Sequence, residues 1–169
     1  MILPLLALFA CEAIPVIVDT GPSGWVEDTG PGPDGDEAPV PDLNACEVSG
    51  DGAGYAGSTA VLLNGEPQDD FDTGALVGAG TFAFAAERPA DSEMVLTCVS
   101  GGGTVGADGV LTGELHVRLG EGLDVREAGP YDVTGTWAGA AVTLSWVVTL
   151  EGRRTRTFSG EAALGPATR

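Results

Sequence analysis

Strict alternation of apolar and polar residues constrains the fold of this chain more than any other feature. Residues 111–119 carry Leu, Gly, Leu, Val and Leu at odd positions, and Thr, Glu, His and Arg at even positions. Side chains of a β-strand point alternately to opposite faces, so this period of two predicts a strand with one buried face. Residues 131–137 and 142–150 repeat the pattern. The chain is therefore predicted to be all-β.

Weaker alternation and turn residues complete the predicted fold. Further strands are predicted at residues 58–63, 81–86, 93–99 and 154–164, and residues 64–78 are interpreted as a long acidic loop. Asp108-Gly109 and Glu151-Gly152 are typical of tight turns between antiparallel strands. About seven or eight strands joined by short turns predict an antiparallel sandwich or barrel over residues 43–169.

The front of the chain has a different composition. Residues 1–10 are apolar throughout and are followed by Cys11. Residues 12–42 contain eight acidic residues, no basic residue and six prolines. Such a segment cannot bury enough apolar surface to offset the entropy of ordering it. Residues 11–42 are therefore predicted to be a disordered, extended tether.

Two motifs in this region resemble those of exported lipoproteins. Leu8-Phe9-Ala10-Cys11 resembles the lipobox of bacterial lipoprotein signal peptides. The repeated Asp-Thr-Gly-Pro at residues 19–22 and 28–31 is similar to acidic linkers behind the lipid-modified cysteine of predicted surface lipoproteins of myxobacteria and their relatives. The resemblance implies a signal peptide at residues 1–10, lipidation of Cys11 and a membrane partner. It places the protein in the cell envelope, at the outer membrane or cell surface.

The two remaining cysteines, Cys46 and Cys98, are expected to form a disulfide if the protein is exported, because oxidising compartments favour such bonds. Closing a loop of about 50 residues would contribute roughly 4 kcal/mol to stability. Cys98 is expected on the same face as Met94 and Leu96, which would point it into the core. Two free, buried thiols remain the alternative.

Net charge excludes one class of partner. The formal charge is −18, and all seven basic residues are arginines. Nucleic-acid binding needs clustered cations that neutralise phosphates, so no nucleic-acid partner is expected. The glycine-rich run at residues 100–104 has no lysine and no predicted helix after it, so no phosphate cradle and no cofactor are expected.

Few residues are suited to catalysis. His116 is the single histidine and is flanked by Glu114 and Arg118 on the polar face of its predicted strand. No nucleophile motif accompanies it, so no catalytic residue is assigned. The acidic run Asp69, Asp70 and Asp72 leaves open a hydrolase with paired carboxylates. Asp70 and Asp72 are also weak candidates for a calcium ligand pair, although a later bidentate glutamate is missing.

Gly135-Thr136-Trp137 resembles the Gly-x-Trp motif of lipocalins and avidins, in which the tryptophan closes one end of an eight-stranded barrel. The resemblance implies that Trp137, and Trp146 on the adjacent strand, could face a small apolar ligand. Three hypotheses follow. The first is a non-catalytic envelope module that binds another envelope protein or a glycan, or acts structurally. The others are a lipocalin-like carrier and a hydrolase using the acidic loop.

Overall fold

The computed structural model describes residues 37–120 and 125–168. All regular elements in this part of the chain are β-strands, which confirms the predicted all-β class. The predicted signal peptide, Cys11 and the tether up to residue 36 lie outside the described residues. The strands are β1 (Val40–Asp42), β2 (Glu47–Ser49), β3 (Ala53–Leu63), β4 (Glu66–Pro67), β5 (Phe71–Gly78), β6 (Thr81–Glu87), β7 (Leu96–Val105), β8 (Val110–Leu119), β9 (Arg126–Trp137), β10 (Val142–Leu150) and β11 (Arg156–Pro166).

Eight of these strands form a closed antiparallel barrel. From β5 to β11 each strand pairs with the next one along the chain, β5 also pairs with β3, and β11 pairs with β3 to close the sheet. The short β4 turns back onto the end of β3. Of the two architectures predicted from the sequence, the structure is thus the barrel, and closure leaves the main sheet without a long free edge.

One element was misassigned in the sequence analysis. The predicted loop at residues 64–78 contains β4 and the whole of β5. In β5, Phe71, Thr73, Ala75 and Val77 are buried, while Asp72 is exposed. Thr73, Gly74 and Ala75 are only weakly hydrophobic. The acidic residues therefore dominated the local composition, and the alternation was not recognised.

Large side chains fill the barrel interior. The inward faces of the eight strands form one buried cluster whose largest members are aromatic. Among the residues with less than 2% exposure, the bulkiest are Phe71, Phe82, Phe84 and Phe158. Interiors packed in this way leave few voids larger than a water molecule. The alternation predicted for β8 and β10 is observed. The buried core residues on these strands are Leu111, Leu115 and Val117 on β8 and Val142, Leu144, Trp146 and Val148 on β10.

The hairpin formed by β1 and β2 packs against the outside of the barrel wall. Cys46 is the last residue of its turn and is bonded to Cys98 of β7, with the sulfur atoms 2.01 Å apart. A second small buried cluster surrounds this bond and includes Ala85, with Leu43 and Val48 packed against it. The hairpin begins at Val40, three residues before the predicted start of the β-domain at residue 43.

Cys98 was predicted to point into the barrel core, and this prediction is wrong. Leu96 and Val99 both belong to the barrel core although they are three residues apart, because the register shifts between Leu96 and Cys98. This irregularity turns Cys98 to the outer side of the wall, where it belongs to the separate cluster under the hairpin. A β-bulge of this kind re-aims side chains and cannot be read from alternation alone.

Candidate functional site

A recess of about 380 Å³ opens on the outer wall of the barrel beside the β1–β2 hairpin. We call it the hairpin recess. Pro39, Pro41 and Leu43 line it on the hairpin side, and Ser100, Gly102, Glu114 and His116 are among its residues on the barrel side. The recess therefore combines an apolar edge with a polar floor.

Strand register explains why the polar groups lie together. Ser100 pairs with His116, and Gly102 pairs with Glu114, across the β7–β8 ladder. Residues directly opposite in an antiparallel pair have Cβ atoms roughly 5 Å apart on the same face. Gly102 has no side chain, and a Cβ at that position would lie 2.5 Å from the carbonyl oxygen of Phe82. A larger residue at position 102 would therefore require a backbone shift, and Ser100, Gly102 and Glu114 all line the recess.

Ser100 has an unusual environment for a polar residue of the hairpin recess. Its side chain is only 3% exposed, and within the described part of the chain its Oγ has no hydrogen-bond partner. Burying a hydroxyl without a partner costs about 1–3 kcal/mol. Native structures rarely leave such a group unpaired without a reason, so this hydroxyl marks a position that a ligand or water can satisfy.

Ser100 and His116 lack the side-chain hydrogen bond that joins a serine to its base in a catalytic dyad, among the residues described. A serine nucleophile needs a base within hydrogen-bond reach, and no hydrogen bond joins these two side chains in the described residues. The imidazole lies against β9 instead, since a Cβ added at Gly129 would be 2.7 Å from Cδ2 of His116.

The hairpin is held in place by more than the disulfide. The guanidinium of Arg118, the next outward residue after His116 on β8, donates to the carbonyl oxygen of Asn44 in the hairpin turn. Asp42 stabilises this turn by accepting hydrogen bonds from the backbone N–H of Asn44 (2.8 Å) and of Ala45 (3.2 Å). The apolar edge of the recess is thus fixed relative to its polar floor.

Comparison of the chain with protein-family models, with curated proteins and with solved structures found no match. Within residues 37–120 and 125–168, no helix is long and apolar enough to cross a membrane.

The two tryptophans that were predicted to face a ligand belong to the barrel core. Trp146 is 2% exposed, and its Nε1 has no hydrogen-bond partner among the described residues. Trp137 packs against the same core at one end of the barrel. Its Nε1 donates to the hydroxyl of Tyr55 (2.7 Å), which in turn donates to the carbonyl oxygen of Gly139 (2.6 Å).

We expect Tyr55→Phe to lower the free energy of unfolding by about 2 kcal/mol, because it removes two hydrogen bonds and leaves the Trp137 Nε1 donor unpaired. Urea unfolding followed by tryptophan fluorescence measures this change. Tyr131→Phe is the matched control, since it removes a tyrosine hydroxyl that takes no part in this chain of hydrogen bonds. Equal effects of the two substitutions would show that the contact between Tyr55 and Trp137 contributes nothing.

The acidic residues considered for hydrolysis or metal binding lie apart from the hairpin recess. Asp69 and Asp70 are exposed between β4 and β5, and Asp72 points outward from β5. Paired carboxylates act as acid and base when their environments differ, whereas these three all face solvent. The described residues contain no cluster of three or more His, Cys, Asp or Glu side chains suited to holding a metal ion.

The residues that form the hairpin recess were not predicted as a site from the sequence. Pro39 and Pro41 were assigned to the tether because of their acidic, proline-rich surroundings. Ser100 was considered only as part of a glycine-rich run. The signal that could have connected Ser100 with His116 is the pairing of β7 with β8 across the Asp108-Gly109 turn, from which their register can be counted.

Proposed function

We propose that this chain is a lipid-anchored protein of a bacterial cell envelope and that its barrel is a non-catalytic binding module. The observation that carries the proposal is the contrast between a filled interior and a polar recess on the outer wall. Partners would be recognised at the hairpin recess, and the lipid on Cys11 would supply the membrane attachment.

The filled interior argues against the carrier hypothesis. A lipocalin-like carrier needs a cavity of roughly 300 Å³ or more inside the barrel to enclose a small ligand. In the described residues the corresponding space is taken by the phenylalanines, leucines and Trp146 of the core. The geometry therefore favours binding on the outer wall.

Support for the envelope location comes from the cysteines. The residues around Cys11 resemble a lipobox, and the other two cysteines are at disulfide-bonding distance. Structural disulfides persist in oxidising compartments outside the cytoplasm. The two observations agree with export of the chain.

The acidic segment would determine how far the barrel extends from the membrane. The described part begins at Glu37, whose backbone is hydrogen-bonded to Asp51. Residues 12–36 would span at most about 90 Å if fully extended. A tether of this length, extended by the mutual repulsion of its acidic residues and stiffened by its prolines, would hold the hairpin recess away from the lipid surface.

Intact mass measurement of the full chain, purified from the membrane fraction of a bacterial host, tests this proposal. We expect a protein that lacks residues 1–10 and carries a diacylglycerol and one further acyl chain. Two thiols should react with an alkylating reagent only after reduction. Cys11→Ser is the control and should yield an unacylated chain that retains residues 1–10. An unacylated native protein that retains residues 1–10 would overturn the anchor.

A further inference from the structure

We propose that the hairpin recess binds a primary alkylammonium group, such as a free aliphatic amine or the side chain of a lysine on a partner. This inference rests on the proposed binding role and specifies its ligand. It is carried by the buried Ser100 hydroxyl, which has no partner among the described residues, together with Glu114 and His116, which line the same recess.

The polar groups of the recess match the hydrogen-bonding capacity of an ammonium. A primary ammonium has three N–H donors and no acceptor. The recess offers the Oγ of Ser100, the carboxylate of Glu114 and the imidazole of His116, each of which can accept a hydrogen bond. Ser100 lies opposite His116, and Glu114 lies opposite the side-chain-free Gly102, so the register places the three acceptors on the same outer face of β7 and β8, where all three line the recess.

The apolar edge suits the body of the ligand. Pro39 is buried, and Pro41 and Leu43 are half-buried where they line the recess. Alkyl chains next to a charged head gain from contact with such surfaces while the head stays hydrated or paired. The recess therefore distinguishes an alkylammonium from an inorganic cation, which has no apolar part.

Charge disfavours anionic ligands and favours cationic ones. Glu114 is the only formally charged side chain among the residues that line the recess, and the whole chain carries a formal charge of −18. The nearest cation along β8 is Arg118, whose guanidinium is engaged with the carbonyl of Asn44. A negative protein field raises the local concentration of cations and their association rate.

Chemical-shift perturbation of the full-length Cys11→Ser chain, which needs no detergent, provides the test. The probe is n-butylammonium, and n-butanol is its neutral counterpart. We expect butylammonium to shift the backbone amides of β1, β7 and β8 around the recess, and butanol to bind at least about tenfold more weakly, as loss of a charged hydrogen-bonding group predicts. Equal binding of the two probes, or shifts confined to other strands, would overturn the proposal.

Substitutions separate a ligand contact from a structural role. Ser100→Ala and Glu114→Gln should each weaken butylammonium binding about tenfold. Ser100→Ala should also leave the midpoint of urea unfolding unchanged or raise it, because it removes an unpaired buried hydroxyl. Ser145→Ala and Glu161→Gln make the same chemical changes on the outer faces of β10 and β11 and should bind as the native chain does. Weakening by the control substitutions to the same extent would show that only the overall charge attracts the probe.

Two further probes identify the source of the ammonium group. Tighter binding of Nα-acetyl-lysine methylamide than of diaminopentane would indicate a lysine on a protein partner, and the reverse order would indicate a free amine. If every ammonium probe failed while a neutral sugar shifted the same amides, the ligand class would be wrong and the binding role of the recess would stand. The mass measurement on Cys11 is unaffected by either result.

Discussion

Replacing both Cys46 and Cys98 with alanine is expected to lower the free energy of unfolding by about 4 kcal/mol. The bond joins residues separated by 52 positions, and a loop of this length restricts the unfolded chain by about that amount in the chain-entropy model. The effect is large beside a typical domain stability of about 5–15 kcal/mol. Urea unfolding with linear extrapolation measures it.

The same substitution should release the hairpin before it affects the barrel. The hairpin's buried contacts are few and centre on the disulfide, whereas the barrel has its own large core. We therefore expect proteolysis to cut residues 40–49 faster in the double variant, with β3–β11 still protected. Cys46→Ala alone serves as a comparison and should match the double variant. A loss of less than about 1 kcal/mol would indicate that the unfolded chain is not restricted by this bond.

Side-chain alternation made the barrel predictable where the strands are regular. On β8 and β10 the period of two identified every inward residue, because a strand in a closed barrel has one face toward the core and one toward solvent. Seven of the eight barrel strands were also predicted, since short turns separate the alternating segments, and β5 was missed. Closure could not be predicted, because it depends on the pairing of β11 with β3 across most of the chain.

Errors arose where one residue breaks the period or where small residues weaken it. Between Leu96 and Val99 the extra residue reverses the side on which Cys98 lies. In β5 the inward positions include Thr73 and Ala75, which alone do not indicate burial. In both places the three-dimensional context determines which side chains face the core, and a single sequence contains little information about that context.

The candidate site was less predictable than the fold because it is assembled from distant segments. Pro39 and Pro41 lie at the wall because the Cys46–Cys98 bond and the Arg118–Asn44 hydrogen bond hold the hairpin there. The disulfide itself was predicted from the sequence, but the side of the wall to which it draws the hairpin was not. Once Cys98 faces outward, the hairpin must cover the outer face of β6 and β7, and the recess follows at its edge.

Gly160→Ala is expected to lower the free energy of unfolding by about 3 kcal/mol, the upper part of the range for overpacking a core. Gly160 of β11 lies opposite Trp146 of β10. A Cβ at this position would lie 2.2 Å from both Cε2 and Cζ2 of the indole. The ring is 2% exposed and surrounded by the barrel core, so it has little room to retreat. The gain from restricting the unfolded chain, about 0.4–1 kcal/mol, is too small to compensate.

Gly165→Ala on the same strand is the matched control, because a Cβ there would have no heavy atom within 4 Å apart from those of its own residue and its two chain neighbours. It should leave stability unchanged or raise it by up to about 1 kcal/mol. Trp146→Phe should restore most of the stability lost in Gly160→Ala, since the smaller phenyl ring leaves room for the added Cβ. It also removes an indole N–H that has no partner among the described residues. A double-mutant cycle would then give a coupling energy of about 1–3 kcal/mol. Additive effects would mean that the indole moves aside readily and that the glycine is retained for another reason.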